Sequence, residues 1–203
     1  LFTEADFNKW QPTRTYDGIM ANQSLHHVVN LEGLFSAVRT GIHRKGLFVI
    51  SDMIGRNGHM RWPESLREVN RFWEELPDSY RHNRLLKRHE AQYDNWDCSG
   101  EGFEGIRAQD ILPLLLQNFN FYKFIGFGNV IDPFIDRAFG HNFDAEASWD
   151  RHFVDRLHAA DEAGFADGSL KPTHMFAVLS LEDPPCRQYS RGLSPEASVR
   201  SPD

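Results

Sequence analysis

The sequence predicts an α/β fold, an open sheet with parallel early strands and a late antiparallel hairpin. Three observations predict it. Residues 16–21 and 47–50 are short apolar runs flanking a segment of helical periodicity, the strand–helix–strand order of a right-handed parallel crossover. Both runs end in polar residues, Asn22-Gln23-Ser24 and Ser51-Asp52, as strands do where an open α/β sheet meets a ligand. Two further runs rich in aromatic and aliphatic residues, 121–127 and 175–181, come late and are separated by a long insertion.

Each element has its own signal. Residues 1–6 read as the end of a strand, and 7–15 as a polar loop containing Pro12. Leu31, Leu34, Phe35, Val38 and Ile42 recur at helical spacing after Asn30, a residue suited to capping a helix N-terminus. Gly41 and Gly46 bracket an expected tight turn at residues 43–45. Pro63 followed by Leu66, Val69, Phe72, Trp73 and Leu76 predicts an amphipathic helix over 63–76. The charged stretch 78–97 reads as a solvated helix or loop, and 99–105 as a glycine-rich turn. Helices are expected over 108–119 and 149–163. Residues 183–203, rich in Pro, Ser and Arg, read as a disordered tail. The expected organisation is one domain over 1–182 with a helical insertion at about 55–107.

Composition excludes several classes. Among 203 residues, 40% are hydrophobic and 25% charged, ordinary for a packed core. A formal charge of −7 argues against general nucleic-acid binding, which needs clustered Lys and Arg. No apolar run approaches the roughly 18 residues of a membrane span. Two distant cysteines, Cys98 and Cys186, read as reduced thiols of a cytoplasmic protein.

The chain resembles the later part of class I S-adenosylmethionine-dependent methyltransferases. The resemblance rests on Ala5-Asp6-Phe7-Asn8, on Tyr16-Asp17-Gly18-Ile19-Met20-Ala21-Asn22-Gln23-Ser24-Leu25-His26-His27-Val28, on Leu31-Glu32-Gly33-Leu34-Phe35 and on Gly46-Leu47-Phe48-Val49-Ile50-Ser51-Asp52. In that family these segments mark the end of the third strand, the fourth strand with its exit, the next helix and the fifth strand. The strand order it implies places the fourth, fifth, seventh and sixth strands side by side. It also implies an incomplete Rossmann-like sheet here, because the family's glycine-rich cofactor loop is not found in these residues. A truncated form with weak or no activity is therefore expected. The edge of residues 16–21 would be bare, inviting a homodimer or another partner.

The resemblance implies cofactor-binding roles for Asp6 near the adenine, for Phe7 on its ring face, and for Asn22, Gln23 and Ser24 beneath the methionine portion. A turn Asp, a core Phe and a helix cap are the plainer alternatives. His26 and His27 are candidate catalytic bases, since imidazole titrates near neutrality. Adjacent side chains diverge, so only one is expected to face the pocket, and a metal site is disfavoured because no third ligand has the usual spacing. Asp52, Arg56, His59 and Trp62 follow the second strand and are candidate contacts for a small polar acceptor. A non-catalytic module pairing through the sheet edge is the competing reading. A nicotinamide or phosphate enzyme would need a phosphate-cradling glycine loop that the sequence lacks.

Overall fold

The computed structural model describes residues 3–200. In chain order its elements are β1 (Tyr16–Asn22), α1 (Leu31–Gly41), β2 (Ile42–Met53), α2 (Pro63–Glu75), the two-residue strands β3 (His82–Asn83) and β4 (Arg88–His89), α3 (Ala108–Asn118), β5 (Asn120–Phe127), the short α4 (Asp132–Ile135), α5 (Ser148–Asp167), β6 (His174–Ser180) and β7 (Gln188–Tyr189). Short 3-10 turns join them. The described chain divides into two compact units. Residues 3–60, 97–127 and 173–200 form the first, and residues 61–96 and 128–172 the second.

The first unit is a mixed α/β layer structure, bearing out the predicted class. Among the described residues its sheet has five strands in the order β1-β2-β6-β5-β7. β1 and β2 are parallel, while β6 runs antiparallel to both β2 and β5. The order β1-β2-β6-β5 is the one expected of fourth, fifth, seventh and sixth strands. The parallel pair is joined by α1, which starts where the Asn30 side chain accepts the Gly33 N–H at 3.1 Å. Leu31, Leu34, Phe35 and Val38 bury the helix face that their spacing predicts. β2 alternates, with Phe48, Ile50 and Asp52 all pointing inward. Phe35, Phe48 and Phe119 meet with ring centroids 5.5–6.5 Å apart, within the range of favourable aromatic contact. Each fully buried ring contributes about 1.5–3 kcal/mol of apolar burial.

Several expectations change. Residues 43–45 are not a tight turn between helix and strand but lie within β2. From Tyr16↔Ile42 to Gly18↔Leu47 the pairing advances two residues on β1 and five on β2, so the polar stretch is taken up as a bulge. Thr3–Asp6 forms no strand, and Leu1 and Phe2 lie outside the described residues. The Asp6 side chain instead accepts from the Asn8 backbone N–H at 3.0 Å and from its amide at 3.1 Å, a local turn. The Asn8 carbonyl oxygen Oδ1 accepts from the N–H groups of Val29 and Asn30, tying this loop to the start of α1. The stretch 183–200 is not a disordered tail: β7 pairs with β5, and Tyr189 and Val199 pack on the core. Composition hid these two apolar anchors.

The second unit has its own core. Phe72 and Trp73 of α2, Phe134 of α4, Phe153 of α5 and Phe139, which lies between α4 and α5, are all buried. Phe72 and Phe153 meet edge-to-face at 5.8 Å. Its interior also holds charge. Arg61 pairs with Asp132 at 2.8 Å and donates to the Asn129 carbonyl at 3.0 Å. Asp161 accepts the Val130 N–H at 2.7 Å. The charged stretch 78–97, expected as a solvated helix or loop, holds a 3-10 turn at Asp78–Arg81 followed by the small hairpin β3–β4. Of the expected insertion at 55–107 only 61–96 falls in this unit, which is completed by 128–172. Apolar positions in two separated segments complete one core, which periodicity within either segment cannot reveal. No helix among the described residues is long and apolar enough to cross a membrane.

Candidate functional site

The site is built where the parallel strands end. β1 stops at Asn22, and Gln23 takes a left-handed backbone (φ 47°) while its N–H donates to the Ser51 carbonyl at 2.8 Å. That turn lifts the chain out of the sheet and into the 3-10 turn Leu25–His27. The N–H groups of Ser24 and Leu25 then both donate to Asp52 Oδ2, each at 2.8 Å. Asp52 Oδ1 accepts from the Met53 N–H at 2.8 Å and faces His26 Nδ1 at 2.6 Å.

Asp52 is fully buried, and these four donors surround both of its oxygens. Burial pushes its carboxyl up, but the hydrogen bonds from His26, Ser24 and Leu25 outweigh it and hold the group below its ordinary range. An ionised carboxylate only accepts, so His26 Nδ1 carries the proton facing it. In neutral His26 the remaining nitrogen, Nε2, is therefore an acceptor. Asp52, expected as an acceptor contact from its place after β2, is corrected to a buried group that orients His26. Strand alternation sends it inward.

Two loops meet His26. His59 follows Gly58, and both have left-handed backbones, φ 57° at His59 and 65° at Gly58. A Cβ at Gly58 would collide with the Asp97 carboxylate, and one at Gly105 would stand 2.9 Å from His59 Cε1. Gly58 N–H donates to the Gly105 carbonyl at 2.9 Å, and Cys98 N–H to the Gly58 carbonyl at 3.1 Å. Asn57 and Gln109 exchange side-chain and backbone bonds at 3.2–3.3 Å, anchoring the 57–59 turn to the start of α3. The second loop, 99–105, presents Glu104. Its carboxylate lies 3.0 Å from His59 Nε2, 3.6 Å from His26 Nε2 and 3.5 Å from His27 Nε2. Burial raises the Glu104 carboxyl, while the His59 hydrogen bond and the neighbouring imidazoles bring it below its ordinary range.

The structure therefore brings together His26, His27, Asp52 and His59 from the sequence-predicted set. It adds Glu104, which no spacing rule marked. The only available signal was a carboxylate set between Gly102 and Gly105 in a turn with several left-handed residues. The expectation that only one of the adjacent histidines faces the pocket is corrected: their rings are 4.2 Å apart and both turn Nε2 toward Glu104. His26 is the buried member and His27 the exposed one. Asn22 and Gln23 are exposed at the exit of β1, beside Ser24. Arg56 precedes the His59 turn and lowers the Asp97 carboxyl, after hydrogen bonds from Ser99. Asp6 and the largely exposed Phe7 lie in the turn described above, and Trp62 caps α2 in the second unit. Cys98 and Cys186 are free thiols.

Among known proteins, no family model matches this chain, and no curated protein matches it. Two solved structures are similar in chain trace. One is the O-methyltransferase from the trans-AT PKS multienzyme of Brevibacillus brevis, in complex with S-adenosyl-L-homocysteine, at 11% identity and a TM-score of 0.40 over 87% of this chain and 48% of that one. The other, assigned as a methyltransferase of an antibiotic biosynthesis pathway, is from Anabaena variabilis ATCC 29413, at 15% identity and a TM-score of 0.35 over 89% of this chain and 72% of that one. The chain thus spans about half the length of the first of these proteins.

Proposed function

We propose that the intact protein transfers a methyl group from S-adenosylmethionine to a small polar acceptor, the present residues being its later part. The observation that carries this reading is the sheet order β1-β2-β6-β5, a parallel pair followed by an antiparallel hairpin, with a histidine site at the pair's C-terminal end. The exposed Asn22 and Gln23 amides at the exit of β1, with Ser24, fit the amino and carboxyl groups of the donor's methionine portion. Asp6 and Phe7 are assigned to the adenine end. When bound, the sulfonium supplies an already activated methyl group, so the protein's tasks are alignment and removal of the acceptor's proton. His27, the exposed histidine, takes that proton, and Glu104 and the Asp52-oriented His26 set the polarity around it. Arg56 and His59 are assigned to the acceptor.

Calorimetry tests this reading. The full-length protein is expected to bind S-adenosylmethionine saturably, and the 203-residue chain to bind it weakly or not at all. A full-length protein that does not bind it contradicts the proposal. A second reading is favoured by one observation: β1 sits at the end of the sheet order, with Met20 75% exposed. It predicts a dimer of the present chain in light scattering behind size exclusion, and a well-folded monomer contradicts it.

A further inference from the structure

We propose that His26, His59 and Glu104 form a binding site for a first-row transition-metal dication. One ligand atom from each of the three lies within 4.8 Å of the others. Ligands about 2.0–2.2 Å from a tetrahedral metal stand about 3.3–3.6 Å apart. Here Glu104 Oε1 is 3.6 Å from His26 Nε2, at the upper end of that spacing, and 3.0 Å from His59 Nε2, slightly inside it. Two imidazoles and one carboxylate with further positions open are a donor set suited to such ions.

Three features of the surroundings point the same way. Asp52 stands behind His26 as the carboxylate behind a metal-bound imidazole does, fixing the ring and leaving Nε2 as an acceptor. Acceptor then faces acceptor between neutral His26 Nε2 and Glu104, an arrangement a cation resolves. His59 is held in a left-handed backbone that a non-glycine residue rarely adopts, and its ring is packed by Gly105, which has no room for a Cβ. His27 Nε2, 3.5 Å from Glu104 Oε2, borders the site as an additional ligand or as a base. The site stands on these contacts alone; a role in binding the acceptor's oxygen, lowering its pKa before methylation, rests on the methyl-transfer reading.

The test is cobalt and zinc titration into the chelator-stripped 203-residue chain, by calorimetry and by cobalt visible absorption. One equivalent is expected to bind, with tetrahedral or five-coordinate cobalt bands. Affinity should fall at least about tenfold in each of His59→Ala, Glu104→Gln and Asp52→Asn. His158→Ala, which alters an exposed pair on α5, should leave binding unchanged. Glu104→Gln changes a half-buried loop side chain to its neutral isostere, so it reports on the site even where another variant fails to fold. No stoichiometric binding, or binding that survives both His59→Ala and Glu104→Gln, overturns the proposal. S-adenosylmethionine is not present in this titration, so its outcome is separate from that of the donor-binding test.

Discussion

Asp52→Ala is expected to cost at least about 3 kcal/mol of folding stability, because four donors lose their acceptor and each buried one left unsatisfied costs about 1–3 kcal/mol. The substitution removes both acceptor oxygens from the Ser24, Leu25 and Met53 N–H groups and from His26 Nδ1. Asp52 is fully buried and Leu25 and His26 are buried beside it, so these donors lose their acceptor away from bulk water. The folded carboxyl is held below its ordinary range, so its contribution is fully present at neutral pH. It is lost as pH falls through the folded-state value. Urea unfolding followed by circular dichroism measures the cost. A loss within about 0.5 kcal/mol, typical of a plain surface change, would contradict this account of the β1–β2 exit.

The second large effect is a dependence of stability on pH set by Asp161. Burial pushes its carboxyl up to about 7, against the lowering from the Val130 and Ile131 N–H groups and from Arg61; Asp132 raises it further. The folded state therefore holds a proton that the unfolded chain releases near 3.8. Stability from this group is fully present below the unfolded value and declines as pH rises toward the folded one, by up to about 4 kcal/mol. Asp161→Asn keeps an oxygen for the Val130 N–H but removes the titration. Urea unfolding at pH 5 and pH 8 should show the wild type losing stability relative to the variant across that interval. Parallel pH profiles for the two proteins would show that Asp161 is ionised throughout.

Much of the sheet was legible because its signals are local. The β1–α1–β2 crossover follows from apolar runs with polar exits, and Asn30 and Leu31, Leu34, Phe35 and Val38 announce α1 directly. β5 and β6 were equally plain as late apolar runs. Elements that depend on distant partners were not. β2 continues through the polar residues 43–45 because β1 lies alongside, and two residues of β7 are ordered by pairing with β5. The second unit shares its core between 61–96 and 128–172, so no single window contains it. The site divides in the same way. His26, His27, Asp52 and His59 were selected from their places after strands. Whether a polar residue orients another or meets a ligand depends on which way the strand turns it, and that decided Asp52. Glu104 enters from a loop 45 residues beyond His59, held by a backbone bond from Gly58 to Gly105 that leaves no mark in residue spacing.

Nitrogen-15 NMR of the histidine rings tests most directly whether Asp52 dictates the working face of His26. At a pH where the ring is neutral and with chelator present, His26 should carry its proton on Nδ1 and show an unprotonated Nε2. Asp52→Asn, whose amide can donate toward Nδ1, should reverse that tautomer. A wild-type His26 with its proton on Nε2, or a tautomer indifferent to Asp52→Asn, would contradict the assignment of Asp52 as the group that turns His26 toward the site.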